Sequence, residues 1–84
     1  MFTDAFAGLC EVDGFWYALG GFIPGSDYHT RIFNNVERYQ PSSNSWVPVA
    51  SMPEGVMSPA VVSLHGVIYV LGEVLFQRSY EVRV

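Results

Sequence analysis

Asp13-Gly14-Phe15-Trp16-Tyr17-Ala18-Leu19-Gly20 returns along the chain as His65-Gly66-Val67-Ile68-Tyr69-Val70-Leu71-Gly72, always 52 positions later (66 − 14 = 52). The flanks repeat as well, with Cys10 matched by Val62 and Val12 by Leu64. Self-similarity at a period near 50 residues marks stacked or propeller architectures, in which one unit cannot bury its apolar face alone. A unit of this kind rarely carries chemistry by itself. It builds a surface whose loops bind something.

The composition agrees with a piece that expects apolar neighbours. Half of the 84 residues are hydrophobic and 15% aromatic, which argues against disorder. Only 14% are charged, where about 25% is usual in soluble domains. The formal charge is −4, lysine is absent, and the four cations Arg31, Arg38, Arg78 and Arg83 are scattered. No basic stripe forms, so phosphate-driven nucleic-acid binding and polybasic membrane contact are not expected. The start Met1-Phe2-Thr3-Asp4-Ala5-Phe6 lacks the charge and apolar core of a signal peptide. The run Val67 to Leu71 is far too short to span a bilayer. The single cysteine, Cys10, cannot form an internal disulfide, which favours a reducing, cytoplasmic setting. It reads as a small buried hydrophobe opposite Val62 rather than a reactive thiol.

Helical periodicity is nearly absent. Asp13-Gly14 between two apolar runs is a strong hairpin signal, which predicts strands over 6–12 and 15–19 around a type I′ turn. Phe15, Tyr17 and Leu19 share one face, Trp16 and Ala18 the other. Both faces are apolar, as in a sheet covered on both sides. Gly20-Gly21 ends the second strand. Residues 22–34 form a long loop containing Pro24-Gly25-Ser26-Asp27, a functional candidate by its length. A third strand over 35–39, a turn over Gln40 to Ser45, and a fourth strand over 46–51 follow. Pro48 places that last strand at a sheet edge, because proline donates nothing to the ladder. After the Met52-Pro53-Glu54-Gly55 loop the pattern restarts over 58–64 and 67–71. The prediction is an all-β chain: an antiparallel four-stranded blade over 1–57, then the start of a second over 58–84 with a divergent tail at 73–84.

These residues resemble the Kelch repeat. The Gly-x-x-Tyr-x-x-Gly-Gly element is Gly14, Tyr17, Gly20 and Gly21. It is followed by Val36-Glu37-Arg38-Tyr39-Gln40-Pro41, then Trp46, then Met52-Pro53, with Gly66, Tyr69 and Gly72 as the second copy. The style is similar to the BTB–Kelch family. That resemblance implies an incomplete β-propeller acting as the substrate-recognition part of a cullin-3-type ubiquitin ligase adaptor. Other Kelch proteins bind actin and a few are enzymes, so a cytoskeletal scaffold and an enzyme fragment are the alternatives. The chain departs from the pattern in places. Val56 stands where family blades often carry arginine, and Gly72-Glu73 replaces the second Gly-Gly. Glu73-Val74-Leu75-Phe76-Gln77 also resembles the core of a rhinoviral-protease tag site, but Arg78-Ser79 follows in place of Gly-Pro. A native ending, an alternative ending and an engineered remnant all fit that tail.

No catalytic set is expected. His29 and His65 are the only histidines, and His65 takes the turn position of Asp13. One loop with two ligand types makes no metal site, and no nucleophile elbow or phosphate loop is present, so no metal, cofactor or enzymatic activity is expected. Asp27, Tyr28, His29 and Arg31 read instead as a partner-binding patch. They place an aromatic, a histidine and an arginine on one loop, types found at protein interfaces. By the resemblance this loop lies on the ligand-binding face. Tyr17, Tyr39, Trp46 and Tyr69 are expected in the core or between blades. With few blades, an apolar sheet face should stay open at each end. The partners expected are therefore the remaining Kelch blades, self-association, and a protein substrate or cytoskeletal protein.

Overall fold

The computed structural model describes residues 7–23, 31–57, 59–72 and 79–84. Among them every regular element is a strand, in the order β1 (Gly8–Val12), β2 (Phe15–Leu19), β3 (Phe22–Ile23), β4 (Arg31–Ile32), β5 (Asn35–Gln40), β6 (Ser45–Ser51), β7 (Ala60–Leu64), β8 (Val67–Leu71) and β9 (Ser79–Arg83). They make a four-stranded sheet β1-β2-β5-β6, a three-stranded sheet β7-β8-β9 and a two-stranded ribbon β3-β4, all antiparallel.

The turn chemistry explains the hairpins. Asp13 and Gly14 have φ of 51° and 88°, and His65 and Gly66 have 50° and 77°. A two-residue turn with both central residues at positive φ matches the right-handed twist of the flanking strands. The register is therefore the same in both repeats: Cys10 pairs with Tyr17 as Val62 pairs with Tyr69. On β6, Val36 pairs with Ala50 but Glu37 with Pro48, so Val49 is an extra residue. A bulge at the proline of an edge strand removes a donor where none is needed.

One correction concerns the segment over 22–34. Its ends are not loop: Phe22 pairs with Ile32 and Ile23 with Arg31. The β-branched Ile23 and Ile32 suit extended backbone. The Pro-Gly-Ser-Asp signal that suggested a loop falls on 24–27, outside the described residues.

A second correction concerns burial. The four-stranded sheet is covered on one face only. Cys10, Val12, Tyr17, Leu19 and Val36 pack there with Met52 and Val56 against Ile68, Val70 and Val82 of the second sheet. β1 lies against β7, and the Ser63 hydroxyl donates to the Glu11 carbonyl at 2.6 Å. These two residues are themselves repeat equivalents (63 − 11 = 52). The opposite face carries Leu9, 57% exposed, and Trp16, 52% exposed.

The repeat makes this asymmetry quantitative. Cys10, Val12, Tyr17 and Leu19 are 9%, 6%, 5% and 0% exposed, while their equivalents Val62, Leu64, Tyr69 and Leu71 are 59%, 56%, 36% and 58% exposed. The same pleat position is core in one sheet and surface in the next, because only the first sheet has a neighbour on that side.

Candidate interaction surface

Antiparallel pairing sorts the connections into two ends. The turns at 13–14, 41–44 and 65–66 share one end. The ribbon β3-β4, residues 52–57 and the paired ends of β8 and β9 at Leu71 and Ser79 share the other. This second rim is built around Gly20-Gly21. The Gly20 amide donates to the Asn35 carbonyl at 3.0 Å and the Gly21 amide to Val56 at 2.8 Å. The Phe33 amide donates to Gly21, the Val56 amide to Phe33, and the Met52 amide to Asn34 at 2.7 Å. The Asn34 side-chain amide donates to the Met52 carbonyl at 3.2 Å. Gly20 has a φ of 65°. A Cβ there would sit 2.7 Å from the Val56 oxygen, so both the left-handed backbone and the close approach demand glycine. Val56, at the arginine position of the family pattern, is buried in the core. An apolar side chain fits there where a guanidinium would need polar partners.

The ribbon is thus anchored at its base and bears an exposed Arg31 and an Ile32 that is 44% exposed. Gly55 passes tightly under Ile32, where an added Cβ would approach Ile32 Cγ2 to 2.8 Å. The Tyr80 hydroxyl donates to the Glu54 carboxylate at 3.2 Å, tying the second sheet to the same rim. Of the patch expected from sequence, Arg31 lies here, and Asp27, Tyr28 and His29 lie outside the described residues. Ile32 and Glu54 were not picked out from sequence. Ile32 follows Arg31 on β4, and the 52–57 segment comes to the ribbon through Gly55, which packs under Ile32.

The aromatics divide. Tyr17 is buried. Tyr39 and Trp46 pack on one another at 5.4 Å between ring centroids, and the Tyr39 hydroxyl donates to Asn44 Oδ1 at 2.6 Å. With Leu9 and Trp16 they line an open groove of about 230 Å³ on the uncovered face. Tyr69 stands on the exposed face of the second sheet. Only Tyr17 therefore meets the expectation of a core ring in this chain, because the faces bearing the others have no neighbour here. The Arg38 guanidinium lies over the Phe15 ring at 5.0 Å, and such contacts are attractive. Its Nε is buried without a hydrogen-bond partner among the described residues.

Of the remaining motif residues, Gly72 closes β8, Glu37 accepts from Asn35 Nδ2 at 2.8 Å, Met52 is core, and Pro41 and Pro53 are exposed in turns. Burial pushes the Cys10 thiol above its ordinary value, since desolvation disfavours the thiolate. Among the described residues no three His, Cys, Asp or Glu come together as a metal cluster would require, and no helix is long and apolar enough to cross a membrane.

The Kelch motif matches residues 5–53. The chain belongs to the Kelch family. Human Kelch-like protein 35 is 43% identical over 64 residues, covering 76% of this chain and 10% of that protein. The N-acetylneuraminate epimerase of Escherichia coli (strain K12) is 39% identical over 64 residues, covering 75% of this chain and 17% of the enzyme. The solved structure of YjhT superposes with a TM-score of 0.66 at 33% identity, over 81% of this chain and 20% of that one. The chain thus spans between a tenth and a fifth of the length of these curated relatives. The Kelch repeat accounts for the all-β sheets, and the relatives include both a Kelch-like protein and an enzyme.

Proposed function

We propose that this Kelch segment is a non-enzymatic protein-binding module, part of a propeller that recognises the substrate of a cullin-3-type ubiquitin ligase adaptor in the cytoplasm. On this reading residues 1–57 and 58–84 belong to successive blades, and Asp27 to Arg31 form the contact loop. The observation that carries the reading is the anchored ribbon. Six hydrogen bonds at its base hold a rim on which Arg31 and Ile32 stand exposed at consecutive positions of β4. An arginine next to an exposed apolar side chain is a combination enriched where proteins meet. The identity to Kelch-like protein 35 supports it.

The test places a photo-crosslinking residue at Arg31 of the chain and irradiates it in cell lysate. Discrete cross-linked proteins, lost when Ile32→Asp is also present, are expected. Labelling that is diffuse, or unchanged by Ile32→Asp, overturns the reading. A second reading is favoured by the epimerase identity: a piece of a sugar-acting Kelch enzyme. Catalysed epimerisation of N-acetylneuraminate, followed by NMR, would support that reading against the first. An actin-binding scaffold is a poorer match, because a lysine-free chain of charge −4 meets acidic filaments unfavourably.

A further inference from the structure

The two open sheet faces are the repeat equivalents of the two faces that pack together inside the chain. The exposed face of β7-β8 carries Val62, Leu64, Tyr69 and Leu71, which match the buried Cys10, Val12, Tyr17 and Leu19. The open face of the four-stranded sheet carries the exposed Leu9 and Trp16, with the buried Ala18 on the same side of the pleat. Their equivalents Val61, Ile68 and Val70 line the other side of the same internal interface. Each molecule therefore displays one face of each kind, and the internal packing shows that the two kinds fit. We infer that the 84-residue chain self-associates head to tail, the β7-β8-β9 face of one copy docking into the Leu9, Trp16, Tyr39 and Trp46 groove of the next.

The occupant is a second copy because it continues an interface that already exists within the chain. A contact between different faces is heterologous, so it propagates until the rotation closes a ring. With two sheets per copy and about four to eight blades in a closed propeller, closure takes about two to four copies. The groove of about 230 Å³ is lined by larger side chains than its internal counterpart. The join also lacks the internal side-chain hydrogen bond, since Glu11, which donates nothing when ionised, stands where Ser63 does. The contact between copies should accordingly be weaker than the one within.

The test blocks each face separately. Trp16→Glu closes the groove and Val62→Glu closes the opposite face. Both side chains are more than half exposed, so the fold should survive, and circular dichroism checks it. Trp46→Glu and Leu64→Glu form a second pair should either of the first fail to fold. Light scattering should find the unmodified chain as a discrete oligomer and each blocked variant as a 9.4 kDa monomer. An equimolar mixture should give a species of twice that mass, since one good pair of faces remains. A blocked variant that still dimerises means a like-with-like contact and overturns the inference. So does an unmodified chain that is monomeric or unfolded at about 100 µM, well above a micromolar dissociation constant. That outcome would assign both faces to further blades on one polypeptide.

Discussion

Gly14→Ala and Gly20→Ala separate the cost of a left-handed backbone from the cost of a close contact. Both residues sit at positive φ, 88° and 65°, so each alanine bears a left-handed backbone penalty of roughly 1–2 kcal/mol. Around Gly14 an added Cβ meets nothing within 4 Å. At Gly20 it meets the Val56 oxygen at 2.7 Å and Met52 Cε at 3.2 Å. That oxygen is backbone and already accepts the Gly21 amide, so it cannot rotate away. Displacing the 52–56 segment adds an overpacking cost of about 1–3 kcal/mol. Gly14→Ala should therefore cost about 1–2 kcal/mol and Gly20→Ala about 2–5 kcal/mol, against a total stability of roughly 4–13 kcal/mol for a chain of this length. Urea unfolding at one fixed protein concentration reads both. With a slope near 1 kcal/mol/M, midpoints should fall by about 1–2 M and 2–5 M respectively. Equal falls in the two variants would refute the argument that Gly20 is fixed by its neighbour as well as by its own φ.

Two further predictions rest on the same logic. Leu19→Ala should destabilise by about 2–5 kcal/mol, and the same substitution at its repeat equivalent Leu71 by under about 1 kcal/mol in the dissociated chain, by the same unfolding assay; comparable losses would contradict the one-sided core. Because burial raises the Cys10 pKa above its usual 9.0, the unfolded chain ionises first as pH rises, so this group's linkage leaves stability unchanged below about pH 9 and lowers it above. Alkylation of Cys10 at pH 8 should be slow in the folded chain and accelerate on adding urea, whereas equal rates would place the thiol in solvent.

Much of the fold was legible because the signals are local. Strands 15–19 and 67–71 were read from sequence with their observed limits, since an Asp-Gly or His-Gly pair fixes a turn that the next five residues must follow. Pro48 marked an edge strand for a reason confined to its own missing N–H. The ribbon was not legible: two-residue strands carry no periodicity, and Phe22 and Ile32 are brought together by hydrogen bonds at Gly21, Phe33 and Val56. The candidate patch was visible only in part. Arg31 stood out by residue type, whereas the approach of Gly55 under Ile32 and the Tyr80–Glu54 hydrogen bond come only from packing.

The sequence by itself determined the repeat, the turns and the all-β character, because each depends on residues within a few positions of one another. It also determined that both pleat faces are apolar. Only the tertiary structure decided which face is core. Leu19 and Leu71 hold the same place in equivalent hairpins, each two residues after a tyrosine and followed by glycine, yet one is fully buried and the other largely exposed. Burial is a property of what lies across the sheet, about 10 Å away, and no local pattern encodes which side that neighbour occupies.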